Sequence, residues 1–189
     1  SQNLPTGLES KTNSKIFEYL GVCSFAAFSF ICTIAYPLFY ILFGGTDYAN
    51  GYIVSPYLFL APLLQMLFQV EANQFLVIKK TWPNMFILST GAVCNLIMNF
   101  FLIPRIGIEG AAVATLIGYI ITDIICTVVL VKMKLMRVSF RFIVACVLCG
   151  CFFALWRFMS GTNIILNILS MFALLAVYCV MYNKELKNI

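Results

Sequence analysis

The chain has 189 residues, of which 62% are hydrophobic and 10% charged, and its mean hydropathy is +0.99. Soluble domains are roughly 45–50% apolar and about 25% charged, so this composition excludes an ordinary soluble fold. The net charge of +5 would suit an anionic partner, but the basic residues edge apolar runs, where they act as topology signals and phospholipid contacts. Nucleic acid is therefore not expected as a partner.

The first fifteen residues are polar and open on Ser1, with no basic start leading into a short apolar stretch, so a secretory signal is not expected. Residues 1–19 are read as a cytoplasmic loop or tail and the chain as a fragment of a longer protein. From residue 19 onward, uncharged runs of 28 (Tyr19 to Thr46), 23 (Tyr48 to Val70), 24 (Thr81 to Pro104) and 26 residues (Phe158 to Asn183) follow. Each exceeds the ~20 residues that span a hydrocarbon core as helix. None keeps the alternation that barrel strands require. The expected fold is all-α and polytopic, one domain over 20–182 with helices at 20–43, 53–78, 85–103, 111–131, 142–158 and 164–182, and a tail at 183–189.

The first span ends in Gly44-Gly45-Thr46-Asp47. The second carries Glu71 among Gln65, Gln69, Asn73 and Gln74, read as a polar stripe that suits a water-filled cavity better than acyl chains. An ionisable group inside a membrane costs at least ~2.5–3.5 kcal/mol on insertion scales, so Glu71 requires an explanation. It lies eight residues before Lys79, and Asp123 on the fourth span lies nine before Lys132, which puts both ~12–14 Å inside one face at ~1.5 Å per residue. Two readings stay open: a protonatable or cation-binding carboxylate at the middle of the bilayer, or a carboxyl that is paired and joins helices.

After Lys79-Lys80-Thr81-Trp82-Pro83-Asn84, the third span carries Asn95 and Asn99, four apart on one face. Pro104 is expected to stop that helix and Gly107 to permit a reversal, with Arg105 and Glu109 between and beyond them. Gly110, Ala111, Ala112 and Ala114 then supply a small surface for close helix approach. The oxygens of Asn95, Asn99, Thr115 and the Ala111 carbonyl suit Na⁺ or a similar hard cation. The same groups equally suit hydrogen bonds across the helix pair.

A basic stretch at 132–141 precedes the fifth span, which holds Cys146, Cys149 and Cys151. With no His in the chain and thiolates costly in lipid, a metal site there is not expected. All eight cysteines lie in apolar stretches, where a thiol packs as a small hydrophobe. A connection at 160–163 leads to the last span. Alternating the sides puts ten Lys and Arg on one face against Arg105 and Arg157 on the other. The positive-inside rule then makes the first face, with both chain ends, cytoplasmic.

The segment Asn95-x3-Asn99-x4-Pro104-Arg105-x-Gly107-x2-Gly110-Ala-Ala-x-Ala-Thr115, with Leu42-Phe43-Gly44 and Lys79-Lys80 before it, resembles the second half of polysaccharide flippases. These belong to the superfamily that also holds lipid II flippases and multidrug and toxin extrusion transporters. The resemblance covers about 20–182 and is strongest over 95–115. It implies helices nine to fourteen of a fourteen-helix fold: the C-terminal lobe plus two extra helices, like a polysaccharide biosynthesis protein C-terminal domain. It further implies a bacterial inner-membrane transporter that flips undecaprenyl-pyrophosphate-linked oligosaccharide by cation-coupled alternating access, together with an N-terminal lobe. No cofactor beyond a coupling Na⁺ or H⁺ is implied. By the same resemblance, Asn95, Asn99, Ala111 and Thr115 match a Na⁺ site, with Asn99 where lipid II flippases carry an Asp. Glu71 matches an acidic coupling residue of extrusion transporters, and Arg105 stands where pyrophosphate or sugar could be met. A drug efflux carrier and a non-catalytic membrane subunit are the alternatives. An enzyme is not expected, because short loops and the lack of His or a paired-carboxylate motif offer no acid–base chemistry.

Overall fold

The computed structural model describes residues 7–160 and 162–186. Outside it lie 1–6 and 187–189 of the expected tails, Gly161 in the expected 160–163 connection, and the side chains of residues 7–9, 47, 49, 159–160 and 184–186. Among the described residues there is no strand. The elements are α1 (Gly7–Phe43), a 3-10 turn (Asp47–Ile53), α2 (Ser55–Val77), α3 (Trp82–Lys132), α4 (Phe140–Leu155) with a π turn (Trp156–Ser160), and α5 (Ile164–Leu186). Five helices are long and apolar enough to cross a membrane. The all-helical expectation therefore holds, and it follows from runs in which only helices can satisfy every backbone group internally. The chain divides into two units, one of residues 1–21 and 57–138, the other of 22–56 and 139–189.

In the first unit, α3 differs from the two separate helices expected. Its 51 residues are continuous apart from Gly107, at φ 62° and ψ −137°. Pro104 does not stop the helix, which runs through it to Ile106. The missing proline N–H leaves only one bond unmade, and the reversal needs the positive φ that Gly107 adopts without Cβ strain. The two arms, 82–106 and 108–132, fold back on each other. A Cβ on Gly91 would lie 3.1 Å from the Gly118 carbonyl oxygen, and one on Gly118 would lie 3.0 Å from the Asn95 Cβ. Gly91 also faces Thr122, so 91 meets 118–122 while 95 meets 118, a rising number on one arm against a falling number on the other, the mark of an antiparallel pair.

Helix α2 packs against the second arm in the opposite sense. Tyr57 Oη donates to Glu109 Oε1 (3.1 Å), Tyr119 Oη to Gln65 Oε1 (3.3 Å) and Thr127 Oγ1 to Glu71 Oε1. Both numbers rise together, so these two helices run parallel. Leu60, Leu64, Leu67, Phe68 and Phe75 fill α2's inner face, with Leu116, Cys126 and Leu130 buried on the arm. Where a tail was expected up to residue 19, α1 is helical from Gly7. Its polar start is held by specific bonds: Ser10 Oγ donates to the Leu135 carbonyl (2.9 Å), Asn13 Nδ2 to Gln74 Oε1 (2.9 Å), and Ser14 Oγ accepts from the Arg137 N–H (2.9 Å).

The second unit is held largely by aromatic packing. Phe28 meets Phe153 edge-on at 5.2 Å between ring centroids, Phe25 stacks on Phe142 at 6.1 Å, and Trp156 lies 6.0 Å from Phe153 and 6.4 Å from Tyr52. Such pairs contribute about 0.5–1.5 kcal/mol each beyond their burial. Tyr178 Oη donates to the Ala145 carbonyl at 3.0 Å, tying α5 to α4.

Candidate functional site

The parallel packing of α2 on the second arm of α3 sets Glu71 against Thr127, one helical turn from Asp123. Glu71 is completely buried. Its Oε1 accepts a hydrogen bond from Thr127 Oγ1. Among the described residues its Oε2 has no hydrogen-bond partner, and neither do the two buried oxygens of Asp123. Asp123 precedes Thr127 by four residues and so shares its face of the arm. Three buried carboxyl oxygens thus lack a partner on one helix pair, within a turn of the Thr127 contact. An unmade buried hydrogen bond costs about 1–3 kcal/mol and more for a charged group, so such an arrangement is not what stability alone selects. Chemically it can take up and release a proton or accept a small hard cation.

The other polar residues of α2 do not form one stripe with Glu71. Gln65, Gln69 and Asn73, spaced by four, are exposed on a different face, with Gln69 Nε2 donating to Asn73 Oδ1 at 3.4 Å. Glu71 and Gln74 turn inward, and Gln74 accepts from Asn13. The 100° step of a helix separates positions 69 and 71 by 200°, which clustering in sequence conceals.

On α3, Asn99 Nδ2 donates to Asn95 Oδ1 at 2.7 Å, and Thr115 Oγ1 donates to the Ala111 carbonyl at 2.9 Å. Asn95 and Thr115 line a groove of about 320 Å³ between the arms, with Gly91, Gly118, Tyr119 and Thr122 also in its wall. The structure therefore brings Asn95 and Thr115 to one groove. Asn99 reaches it only through Asn95, and Ala111 presents a carbonyl already engaged by Thr115. Asn99 Oδ1 is buried without a partner among the described residues.

Arg105 is exposed, two residues before the reversal. Cys149 is buried while Cys146 and Cys151 are exposed, so the three do not converge. Among the described residues no group of three or more His, Cys, Asp or Glu is arranged to hold a metal ion. Sequence reasoning missed Thr127 and Tyr119. The signal was present: Tyr119 and Thr127 each lie four residues from Asp123 and share its helix face.

Comparison of the chain with family models, with curated proteins and with solved structures returns no match.

Proposed function

We propose that the chain is one lobe of an ion-coupled membrane transporter that moves lipid-linked oligosaccharide across a bacterial inner membrane by alternating access. The lobe crosses the membrane six times, because α3 spans it twice. Each arm is 25 residues long, ~37 Å as helix against a ~30 Å core. The opposed first arm and the parallel pairing of α2 with the second arm support this path. The ten-to-two distribution of Lys and Arg then orients both chain ends to the cytoplasm.

The observation that carries the reading is the placement of Glu71 and Asp123 a turn apart across two apolar helices, with three buried carboxyl oxygens that lack partners among the described residues. In this reading the pair exchanges the coupling H⁺ or cation. Gln65, Gln69 and Asn73 face the substrate path, since exposed amides on an apolar helix require water or a polar ligand. Asn95, Asn99, the Ala111 carbonyl and Thr115 form a second oxygen-rich place on the same lobe. The glycan and its carrier come from the resemblance of 95–115 to flippases, and Arg105 is the candidate contact for pyrophosphate. In the full-length protein, Glu71→Ala is expected to abolish surface polysaccharide at an unchanged protein level. Normal polysaccharide in that variant would remove Glu71 from the mechanism, and altered drug susceptibility of a deletion strain would turn the substrate from glycan to drug.

A further inference from the structure

Among the described residues only two that are not glycine hold a positive φ, Lys79 at 55° and Lys134 at 60°. Both occupy the same place in a helix cap. At the end of α2 the Lys79 N–H bonds the Leu76 carbonyl and the Lys80 N–H bonds the Phe75 carbonyl, both at 3.0 Å. At the end of α3 the Lys134 N–H bonds the Val131 carbonyl and the Leu135 N–H bonds the Leu130 carbonyl, again at 3.0 Å. These are Schellman motifs, whose left-handed residue is usually Gly, sometimes Asn, because a Cβ there crowds the backbone. A cation suits the C-terminal end of a helix, but it could sit anywhere in the last turn; the left-handed position itself does not call for lysine, and lysine stands there in both caps.

The two caps share one end of the first unit, since α2 and the second arm run parallel. The first turns of α1 reach both: Asn13 bonds Gln74, next to the α2 cap, and Ser10 bonds the Leu135 carbonyl within the α3 cap. Lys11 and Lys15 are exposed on those turns, and Lys80, Lys132 and Arg137 are exposed beside the caps. Trp82 is 63% exposed two residues after Lys80, an aromatic of the kind found at headgroup level.

We propose that this end of the first unit is a binding site for the headgroup phosphates of anionic phospholipid, with Lys79 and Lys134 at its centre. Charge complementarity selects an anion, and the position at the mouths of hydrocarbon-length helices beside Trp82 selects a lipid. The proposal goes beyond the transport reading and stands whether or not Glu71 couples an ion.

The test uses the full chain in phosphatidylcholine vesicles containing brominated phosphatidylglycerol or brominated phosphatidylcholine, with quenching of Trp82 fluorescence as the readout. Trp156 is buried and serves as the unquenched background, checked with Trp82→Phe. Brominated phosphatidylglycerol is expected to quench at the lower mole fraction. The preference should fall about fivefold for each lysine removed, about 25-fold in Lys79→Gly/Lys134→Gly. That variant should unfold no more easily than the parent, because glycine relaxes both caps, and Lys79→Asn/Lys134→Asn should repeat the loss with a side chain in place. Equal quenching by the two lipids, or an undiminished preference in both variants, overturns the proposal. Loss of the preference to inorganic phosphate but not to chloride of equal ionic strength overturns it too, by making the ligand a soluble anion.

Discussion

Thr127 donates one hydrogen bond to a carboxyl that has no exposure to solvent, so its hydroxyl stands between Glu71 and a wholly unsatisfied state. Thr127→Val keeps the shape and removes the donor. It should destabilise the protein by about 1 kcal/mol, between the ~0.6 kcal/mol average for bonds between membrane helices and the larger value for charged acceptors; a thermal or detergent unfolding midpoint would read it. Gly91 is constrained by space. A Cβ there would collide with Thr122 Oγ1, so Gly91→Ala should cost roughly 1–3 kcal/mol as an overpacked contact. Thr122→Ala removes that oxygen and should recover most of the loss in a double-mutant cycle; additive losses would mean that the arms do not touch there. Glu71 and Asp123 were legible as single residues because charge is rare in apolar runs. The spacing of four puts Thr127 on the face of Asp123, but that it meets Glu71 was not legible, because only the pairing of two helices brings the hydroxyl to that carboxyl.

Helix α3 is where periodicity and punctuation read the sequence best and least well at once. The reversal was legible in Pro104, Gly107 and the small residues after them, but the stop was expected at Pro104 and occurs at Gly107. Backbone handedness at glycine, not the missing proline donor, makes the turn. Because the Gly118 Cβ position and the Asn95 Cβ lie 3.0 Å apart, near the ~3.5–4.5 Å of disulfides, Asn95→Cys/Gly118→Cys should oxidise to a bridge identifiable by peptide mass mapping. Failure to cross-link under oxidant would refute the antiparallel hairpin. The start of α1 at Gly7 was not legible, since residues 7–15 carry no apolar period. What orders them is a set of serine and asparagine bonds to Leu135, Arg137 and Gln74, all more than sixty residues away in sequence. Lysine at the two left-handed caps costs on the order of 1 kcal/mol relative to glycine, so Lys134→Gly alone should raise the unfolding midpoint.

At the scale of the molecule, hydropathy determines most of what can be read. Composition and run length place the chain in a membrane, and five helices long and apolar enough to cross it follow directly. The division into two units could not be read, because uniformly apolar helices announce length and not neighbours. The polar face of α2 with Gln65, Gln69 and Asn73, and the acids Glu71 and Asp123, are what support the proposed transport function. In that proposal the two acids link an ion gradient to substrate movement. The measurement that reaches it most directly is translocation of lipid-linked oligosaccharide in sealed vesicles holding the full-length protein, with and without an imposed H⁺ or Na⁺ gradient, for the parent and Glu71→Gln. Gradient-driven translocation is expected in the parent, with a loss of roughly tenfold or more in the variant, the size of a ~1–3 kcal/mol coupling free energy. Translocation that follows the gradient equally well in Glu71→Gln would rule out coupling through Glu71.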